Sequence, residues 1–593
     1  MAYQAPVRDY AFLLRDVLRI ESHANLPRFA DAPMDLVEQI LDGAAQFTGE
    51  VLAPLNKVGD EHGCKWSPDN TVATPPGFKA AYDQMVENGW PLLGVDPKWG
   101  GQGLPYVVNL AVSEMLSSSN MAFAMYPGLT HGAYKAIEAA ATDELKALYL
   151  PKMASGEWSG TMNLTEPHCG TDLGMLRTKA APNDDGTYRI SGQKIWISGG
   201  EQDFTGNIVH LVLARIEGAP AGVKGISLFI VPKHIPDAAG EPGERNSVKC
   251  AGLEEKMGIH GNATCVMVYE EAKGWLVGEA NAGLKLMFVM MNEARLGVGL
   301  QGVAQAEAAY QAAVAFAKDR LQGRSLTGPK NPEGPADPII VHPDVRRMLL
   351  ESKAIIEGGR AFLFWTALNA DLQANHPDEA VRTKAADYMA LMTPVLKAYL
   401  TDRGFDVCSM AMQTHGGSGF TEHFPASQYL RDSRIAMIYE GANGVQALDL
   451  VGRKLASNGG RAIMTFFAEV DGFVSENTGA DEQLKPFIDG LADAKAKLQD
   501  ATLWLMQNGI ANPDNAGAAS TPYLHLFGVA GLAYMWALMA KAALAADQTD
   551  SFVQTKLVTG RCFLERVLPD AAAHLAKAKA GSATLMALPA EAF

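Results

Sequence analysis

Glu440 has the neighbours expected of a catalytic carboxylate. It ends an apolar stretch, follows Tyr439 and precedes Gly441. Burial disfavours the charged form of a carboxylate, so such a group has a raised pKa and can accept a proton near neutral pH. A glycine cluster at 413–420 ends nineteen residues before Tyr439. Its bare backbone can hold phosphate or ribose oxygens, although the same residues also fit a plain transition from helix to loop.

Two earlier segments have the composition of a binding site for a planar ring. In segment 161–172, a proline and a glycine shape a turn whose backbone can approach a ligand closely; a capped β-turn is the alternative. In segment 194–198, strand alternation places Trp196 and Ser198 on one face and the two isoleucines on the other. A tryptophan beside a hydroxyl can pack on a heterocycle and donate a hydrogen bond. The alternative is a tryptophan in the core of a β-sandwich.

A glycine pattern at 297–302 matches G-x-G-x-x-G, with Asp319 seventeen residues beyond it. A dinucleotide site of that type requires a strand, then the glycine turn, then a helix. Here the flanking residues indicate one continuous helix. We therefore interpret these glycines as points of close contact between helices and predict no nicotinamide site.

Together these segments resemble the signatures of acyl-CoA dehydrogenases. The resemblance covers roughly residues 30–455, and both the N-terminal residues and an extension of some 130 C-terminal residues resemble a longer bacterial subgroup. It implies FAD as cofactor and oxidation of an acyl-CoA to the trans-2-enoyl-CoA, with electrons passed to an electron-transferring flavoprotein. The subgroup implies 3-methylmercaptopropionyl-CoA or a similar short acyl-CoA as substrate. The alternative substrates are medium- and long-chain fatty acyl-CoAs. The alternative functions are an acyl-CoA oxidase and a flavin-binding protein without dehydrogenase chemistry.

The resemblance makes Glu440 the base that removes the α-proton, with its own backbone N–H directed at the thioester carbonyl. Some family members carry the base at the position of Ala294, and the adjacent Glu293 is expected to face elsewhere on its helix. The FAD contacts implied are Met162, Leu164, Thr165, Thr171, Trp196, Ile197, Ser198, Arg320, Gln322, Gln413, Thr414, His415, Gly416, Gly417 and Gln446. The substrate contacts implied are Thr171, Asn292, Arg295, Tyr439 and Gly441.

Part of this set is expected to contact the FAD of a neighbouring subunit, which implies a homodimer or a higher homo-oligomer. Arg320 and residues 413–417 belong to that part. The chain departs from the family pattern at three positions. Asn292 replaces the usual aspartate, Gly323 the usual phenylalanine and Ala442 the usual threonine, the last removing a hydroxyl that commonly touches FAD.

The composition narrows the class of partner. The 593 residues are 48% hydrophobic and 20% charged, with a net charge of −16. An acidic surface repels nucleic acids, and a polyanionic CoA needs a local basic patch. The six cysteines are scattered without a C-x-x-C pair, so we expect neither disulfides nor a metal site. The first residues contain no apolar signal segment, and we expect a cytoplasmic protein.

The predicted fold is an α+β multidomain one. We expect an N-terminal helical domain at 1–156, a β-barrel or sandwich at 157–282, a four-helix-bundle domain at 283–456 and an additional helical domain at 457–593. The longest apolar run, 526–540, is short for a membrane span. A buried helix or an oligomer interface is the favoured interpretation of that run, and interfacial membrane contact is the alternative.

Overall fold

A computed structural model describes residues 3–479 and 481–593, except for the side chains of Val289 and Asn292. The N-terminal region is helical apart from one two-stranded ribbon. Side-chain caps begin its last two helices, since Asn120 accepts from the Phe123 N–H at 3.1 Å and Thr142 accepts from the Leu145 N–H at 3.4 Å. The elements are α1 Val7–Phe12, α2 Pro27–Ala30, α3 Met34–Phe47, α4 Ala53–His62, β1 Lys65–Trp66, β2 Val72–Ala73, α5 Phe78–Glu87, α6 Tyr106–Ser119, α7 Met121–Ala140 and α8 Asp143–Ser155.

The middle region is a barrel of mixed strands. Its strands are β3 Trp158–Asn163, β4 Lys179–Pro182, β5 Tyr188–Ser198, β6 Asn207–Ile216, β7 Ile226–Pro232, β8 His234–Pro236, β9 Pro242–Arg245, β10 Val248–Leu253 and β11 Thr264–Val277. Strand β11 pairs with β5 and β7, β7 with β6, β6 with β4, and β4 with β5, which closes the ring. Strand β10 extends β11, and β3 runs parallel to β6. Strand β5 runs through Gly192 and includes the segment 194–198, for which strand alternation was predicted.

Three long helices follow the barrel and pack closely. The elements are α9 Gly283–Asp319, α10 Pro343–Asn375, α11 Glu379–His415, α12 Ala426–Arg434 and α13 Asn443–Asp449. A Cβ added at Gly302 would lie 2.5 Å from the Leu400 carbonyl oxygen, and one at Gly404 would lie 2.3 Å from the Gly302 carbonyl oxygen. Helices α9 and α11 therefore touch backbone to backbone. The glycine pattern at 297–302 lies inside α9, and the predicted helix contacts are confirmed at Gly299 and Gly302, whereas a Cβ added at Gly297 would meet nothing within 4 Å.

The C-terminal region is helical as predicted. Its helices are α14 Arg461–Glu476, α15 Lys485–Ala511, α16 Pro513–Ala545, α17 Ser551–Cys562 and α18 Asp570–Lys579. Within the described residues, α16 is the one helix long and apolar enough to cross a membrane, and 83% of its apolar window is buried inside the protein. It packs on α10, α11 and α13. The prediction that 526–540 forms a buried helix is confirmed.

A buried cluster of charges joins the N-terminal, bundle and C-terminal helices. The Arg360 guanidinium on α10 donates to Glu114 at 2.6 and 2.8 Å, to Asp9 at 2.6 Å and to Glu307 at 2.6 Å. Lys556 on α17 pairs with the same Asp9 carboxylate. Because one cation serves three carboxylates from α1, α6 and α9, these elements share a fixed arrangement around the bundle.

Candidate active site

A cavity of about 1150 Å³ opens between the N-terminal helices, the barrel and the bundle. Residues from α7, β3, β5, α9 and the segment before α13 converge on it. Of the site residues predicted from sequence, the cavity is lined by Met162, Leu164, Thr165, Thr171, Trp196, Ile197, Ser198, Arg295, Tyr439, Glu440 and Gly441. The predicted pantetheine contact of Asn292 concerns a side chain outside the described part of the chain.

Glu440 lies in a strained turn that two side chains hold in place. Its φ is +57°, in the left-handed region, which costs a non-glycine residue about 1–2 kcal/mol. Gln446 Nε2 donates to the carbonyl oxygens of Glu440 at 3.1 Å and Gly441 at 3.2 Å. Lys397 Nζ donates to the Gly441 carbonyl oxygen at 2.8 Å. Backbone strain of this kind is retained where the surroundings hold it, typically at functional sites.

The electrostatics of the cavity suit Glu440 to proton abstraction. Burial raises the pKa of its carboxyl to about 6, against the opposing charges of Arg295 and Lys397. Within the described residues, no hydrogen-bond donor reaches this carboxylate. The group is therefore available to a ligand and has a pKa close to that of an efficient base near neutral pH.

Glu293 on α9 also lines this cavity, so the prediction that it faces elsewhere was wrong, but its environment differs from that of Glu440. Its Oε1 lies 2.9 Å from His131 Nε2. Burial acts to raise the pKa of Glu293, but the charge of His131 and this hydrogen bond hold it below the usual value. A paired carboxylate with a low pKa is a weak base, so the two environments favour Glu440 over Glu293 for that role.

Several positive side chains line the cavity. Arg295 Nη1 lies 4.0 Å from Asp449 Oδ2, and Asp449 Oδ1 accepts from Arg453 at 2.7 Å. The further cations along the lining are Lys256, Arg431 and Arg434. Four buried polar groups of cavity-lining residues find no partner within the described residues: Trp90 Nε1, Thr264 Oγ1, Arg295 Nε and Arg434 Nη1. These cations can meet the phosphates of CoA or of a pyrophosphate, and the same lining also carries the carboxylates Glu254, Glu255 and Asp449.

Trp196 occupies a β-bulge and projects into the cavity. Ile197 pairs with Cys265 and Lys194 with Met267, so two residues of β5 oppose the single Val266 of β11. The bulge breaks the predicted alternation, which was wrong here: Lys194 and Ile197 are the buried residues. Trp196 has a φ of +62° and is 61% exposed, so it is not a core tryptophan.

The buried Lys194 joins the bulge to the turn after β3. Its Nζ donates to the Leu164 carbonyl oxygen at 3.0 Å and to Glu166 Oε1 at 2.8 Å. The Ile195 N–H donates to the Thr165 carbonyl oxygen at 3.0 Å. The two segments predicted to bind a planar ring are thus held against each other. An exposed tryptophan beside accessible backbone and unpartnered polar atoms is a surface that fits an isoalloxazine ring.

The remaining predicted cofactor contacts lie elsewhere. Arg320 is 25 residues beyond Arg295 along the course of α9, roughly 37 Å at 1.5 Å per residue. The Phe316 and His415 rings, with centroids 4.5 Å apart, bring Arg320 and Gln322 to the same end of the bundle as residues 413–417. There Gly416 and Gly417 are exposed, and an added Cβ on either would meet nothing within 4 Å. These residues do not line the cavity, and their contact with FAD stays a prediction.

Three predicted residues have side chains that the fold already uses. Thr414 Oγ1 donates to the Met410 carbonyl oxygen at 2.9 Å, and His415 Nδ1 lies 2.7 Å from the Ala411 carbonyl oxygen. Gln446 is fully buried behind the Glu440 turn, and its Oε1 has no partner within the described residues. For Gln446 the structure supplies a role in holding the turn; its contact with FAD stays a prediction.

Sequence reasoning missed the residues beneath the turn. Lys397 and Asn443 hold the turn, and Gln301 accepts from the Tyr439 hydroxyl. One signal was present: Lys397 is a lone cation in the apolar run 394–400 of a helix. Such a residue, fully buried in the structure, requires specific acceptors.

Comparison with known families covers nearly the whole chain. Residues 35–157, 161–272 and 281–455 match the models described as the N-terminal, middle and C-terminal domains of acyl-CoA dehydrogenase. The chain belongs to the acyl-CoA dehydrogenase family. Residues 466–589 match a model described as "Acetyl-CoA dehydrogenase C-terminal like". Acyl-CoA dehydrogenases are FAD-dependent oxidoreductases, so the predictions of family, enzyme class, fold and cofactor are confirmed.

Relatives extend over the full length of this acyl-CoA dehydrogenase. A 3-methylmercaptopropionyl-CoA dehydrogenase of Ruegeria pomeroyi is 43% identical over 97% of both chains. A broad-specificity linear acyl-CoA dehydrogenase of Mycobacterium tuberculosis, FadE5, is 34% identical over 96% of both chains. Among solved structures, an acyl-CoA dehydrogenase of Bacillus anthracis complexed with FAD shares the fold, with a TM-score of 0.75 and 23% identity over 92% of this chain and 88% of that one.

Proposed function

We propose that Glu440 is the base of this acyl-CoA dehydrogenase and that its substrate is 3-methylmercaptopropionyl-CoA or a similar short acyl-CoA. The observation that carries the first part is the Glu440 carboxylate itself. It is directed into the cavity, has a pKa raised to about 6 and meets no donor within the described residues. A base with those properties takes the α-proton of a thioester without first breaking an internal hydrogen bond.

The chain also offers a donor for the thioester oxygen. The Glu440 N–H has no backbone acceptor within the described residues. The strained turn presents this N–H and the carboxylate from one residue. Because negative charge develops on the thioester oxygen as the α-proton leaves, a preorganised N–H directed at that oxygen contributes several kcal/mol. Gln446 and Lys397 keep the turn in this conformation through its two carbonyl oxygens.

We propose that Met162, Leu164, Thr165, Trp196 and Ser198 hold the flavin ring, since they line the cavity around the bulge. When bound, FAD supplies the acceptor for the β-hydrogen, which leaves as hydride. Arg320 and residues 413–417 lie too far along the bundle to serve the same cavity. Their proposed ligand is the FAD of a second copy of the chain, which makes a homodimer the minimal active unit. Electron-transferring flavoprotein is the proposed electron acceptor.

The lining of the cavity supports a short or polar acyl group. Asn109, Ser113 and Ser117 from α6 line it together with the paired His131 and Glu293. A long alkyl chain would remove the Asn109 and Ser117 side chains from water without giving them hydrogen bonds, which is unfavourable, whereas Ser113, His131 and Glu293 already have partners. The relative that acts on a short thioether substrate is also the most similar of those described above. FadE5 supports the alternative, a wider range of linear acyl chains.

The test is an anaerobic titration of the purified holoenzyme with 3-methylmercaptopropionyl-CoA and, separately, with octanoyl-CoA, followed by flavin absorbance. Bleaching chiefly by the thioether substrate supports the proposal. Bleaching chiefly by octanoyl-CoA replaces the substrate with a fatty acyl-CoA and leaves the mechanism intact. No bleaching with either, or with a series of other acyl-CoAs, refutes dehydrogenase chemistry. Oxygen consumption during aerobic turnover would identify an oxidase and overturn the proposed acceptor.

A further inference from the structure

A chain of hydrogen bonds runs from the C-terminal helices to the Glu440 turn. His525 Nε2 on α16 lies 2.8 Å from Asp402 Oδ2 on α11. Asp402 Oδ1 accepts from Asn443 Nδ2 at 2.7 Å. Asn443 Oδ1 accepts from Lys397 Nζ at 2.8 Å, and Lys397 Nζ donates to the Gly441 carbonyl oxygen at 2.8 Å. These four side chains connect α16 with the turn that carries Glu440.

The direction of each link follows from the chemistry of its groups. An ammonium can only donate and a carboxylate can only accept, so the Asn443 amide must present its oxygen to Lys397 and its nitrogen to Asp402. The inverted amide would place donor against donor and acceptor against acceptor. His525 must then donate from Nε2 to the free oxygen of Asp402. The chain therefore has one arrangement in which every contact is a hydrogen bond.

Because Lys397 is buried, the position of the turn depends on this arrangement of hydrogen bonds. Lys397 is fully buried, and burial lowers the pKa of its ammonium to about 7. A buried cation is held only where acceptors and a counter-charge surround it. Here the acceptors are the Gly441 carbonyl oxygen and Asn443, and Asp402 is the carboxylate that fixes Asn443. If Asp402 moved, Asn443 would no longer be fixed. Lys397 would then lose an acceptor, and the strained turn would lose the position that Lys397 gives it.

We propose that His525, Asp402, Asn443 and Lys397 are positioning residues, through which the C-terminal helical region holds the Glu440 turn in its reactive geometry. The inference rests on the proposed role of Glu440 as base. It gives α14–α18 a part in catalysis that the barrel and bundle do not supply. His525 touches neither cavity nor turn and acts only through Asp402.

The experiment compares His525→Phe, His525→Gln and Asp402→Asn with wild-type holoenzyme in stopped-flow flavin reduction. Glutamine places an amide N–H near the former Nε2, so His525→Gln keeps the donor, whereas phenylalanine removes it. We expect the limiting rate of flavin reduction to fall roughly 2- to 30-fold in His525→Phe, the range seen when networks between coupled sites are disrupted. The dissociation constant of the acyl-CoA and the FAD content should stay at wild-type values, and His525→Gln should restore the rate.

Arg461→Met is the matched control. Arg461 on α14 donates to Asp387 on α11 at 2.6 and 2.9 Å, which is also a charged contact between the C-terminal region and that helix, but it does not reach the turn. The limiting rate of flavin reduction in Arg461→Met should equal that of wild type. A limiting rate for His525→Phe within twofold of wild type, or an equal loss in Arg461→Met, would overturn the proposal. If His525→Phe fails to retain FAD, Asp402→Asn, which keeps the shape of the side chain, decides by the same criteria.

The two proposals fail in different ways. If Glu440 is not the base, Glu440→Gln will still reduce flavin, whatever the rates of the His525 and Asp402 variants. If only the proposed positioning role of the hydrogen-bonded chain is wrong, Glu440→Gln will be inactive while His525→Phe and Asp402→Asn reduce flavin at the wild-type rate.

Discussion

Gly441→Ala perturbs the catalytic turn by a single methyl group. Gly441 has a φ of +86°, and a Cβ built there lies 2.6 Å from Gln446 Nε2. The left-handed conformation costs alanine about 1–2 kcal/mol. Displacement of Gln446 removes its two hydrogen bonds to the turn, each contributing about 0.5–1.5 kcal/mol. The variant therefore destabilises the present turn by about 2–5 kcal/mol, and we expect the turn to move.

The consequence is measured as the limiting rate of flavin reduction. A displacement of about 1 Å in a reacting group lowers rates about 100-fold, and we expect a loss of that order. Gly444→Ala is the matched control. Gly444 lies three residues further in α13, and a Cβ added there meets nothing within 4 Å. The reasoning is refuted if Gly441→Ala retains FAD and reduces it within threefold of the wild-type rate, or if Gly444→Ala is equally impaired.

Two further predictions concern ionisation. Because burial raises the pKa of Glu440 to about 6 and the base must be ionised, the second-order rate of flavin reduction should be level above that pH and fall about tenfold per unit below it; a flat profile through pH 5 would contradict this. Arg360→Met should lower the free energy of unfolding by about 3–5 kcal/mol, since it leaves Glu114 buried without its cation. Burial already raises the pKa of Glu114 above its unfolded value, and the variant raises it further. The folded variant therefore holds that proton more tightly, so in urea titrations the loss of stability should be smaller near about pH 5 than near about pH 8. An equal loss of stability at both pH values would contradict the role of Arg360 as the cation that stabilises ionised Glu114.

Much of the architecture was predictable because periodicity reflects which face of an element is buried. The apolar run at 526–540 predicted a buried helix, and α16 is one. The glycine pattern at 297–302 predicted helix contact, and Gly302 lies against the Leu400 carbonyl. Glu440 was identified because its segment and the glycine cluster before it resemble a signature of acyl-CoA dehydrogenases. The boundaries at 156, 282 and 456 stay a prediction.

The features that sequence reasoning missed arise from contacts between distant segments. The bulge at Trp196 depends on how β5 registers with β11, and no local pattern encodes one residue opposing two. The chain of hydrogen bonds from His525 to Lys397 joins residues 128 positions apart, and of its members only Lys397, a lone cation in an apolar run, stands out in the sequence. The pairing of Glu293 with His131 depends likewise on the packing of α7 on α9. Polar partners of this kind become visible only when the helices are placed.

The central claim is that Glu440 removes the α-proton, and Glu440→Gln tests it most directly. The measurement is the rate of flavin bleaching when the FAD-loaded variant is mixed anaerobically with the acyl-CoA that reduces the wild-type enzyme. Removal of a general base costs about 100- to 10,000-fold, and we expect a loss in that range with FAD content unchanged. Glu293→Gln, which alters another carboxylate of the cavity, should lose far less. Flavin reduction by Glu440→Gln at a rate near wild type, or its abolition in Glu293→Gln instead, would contradict the account.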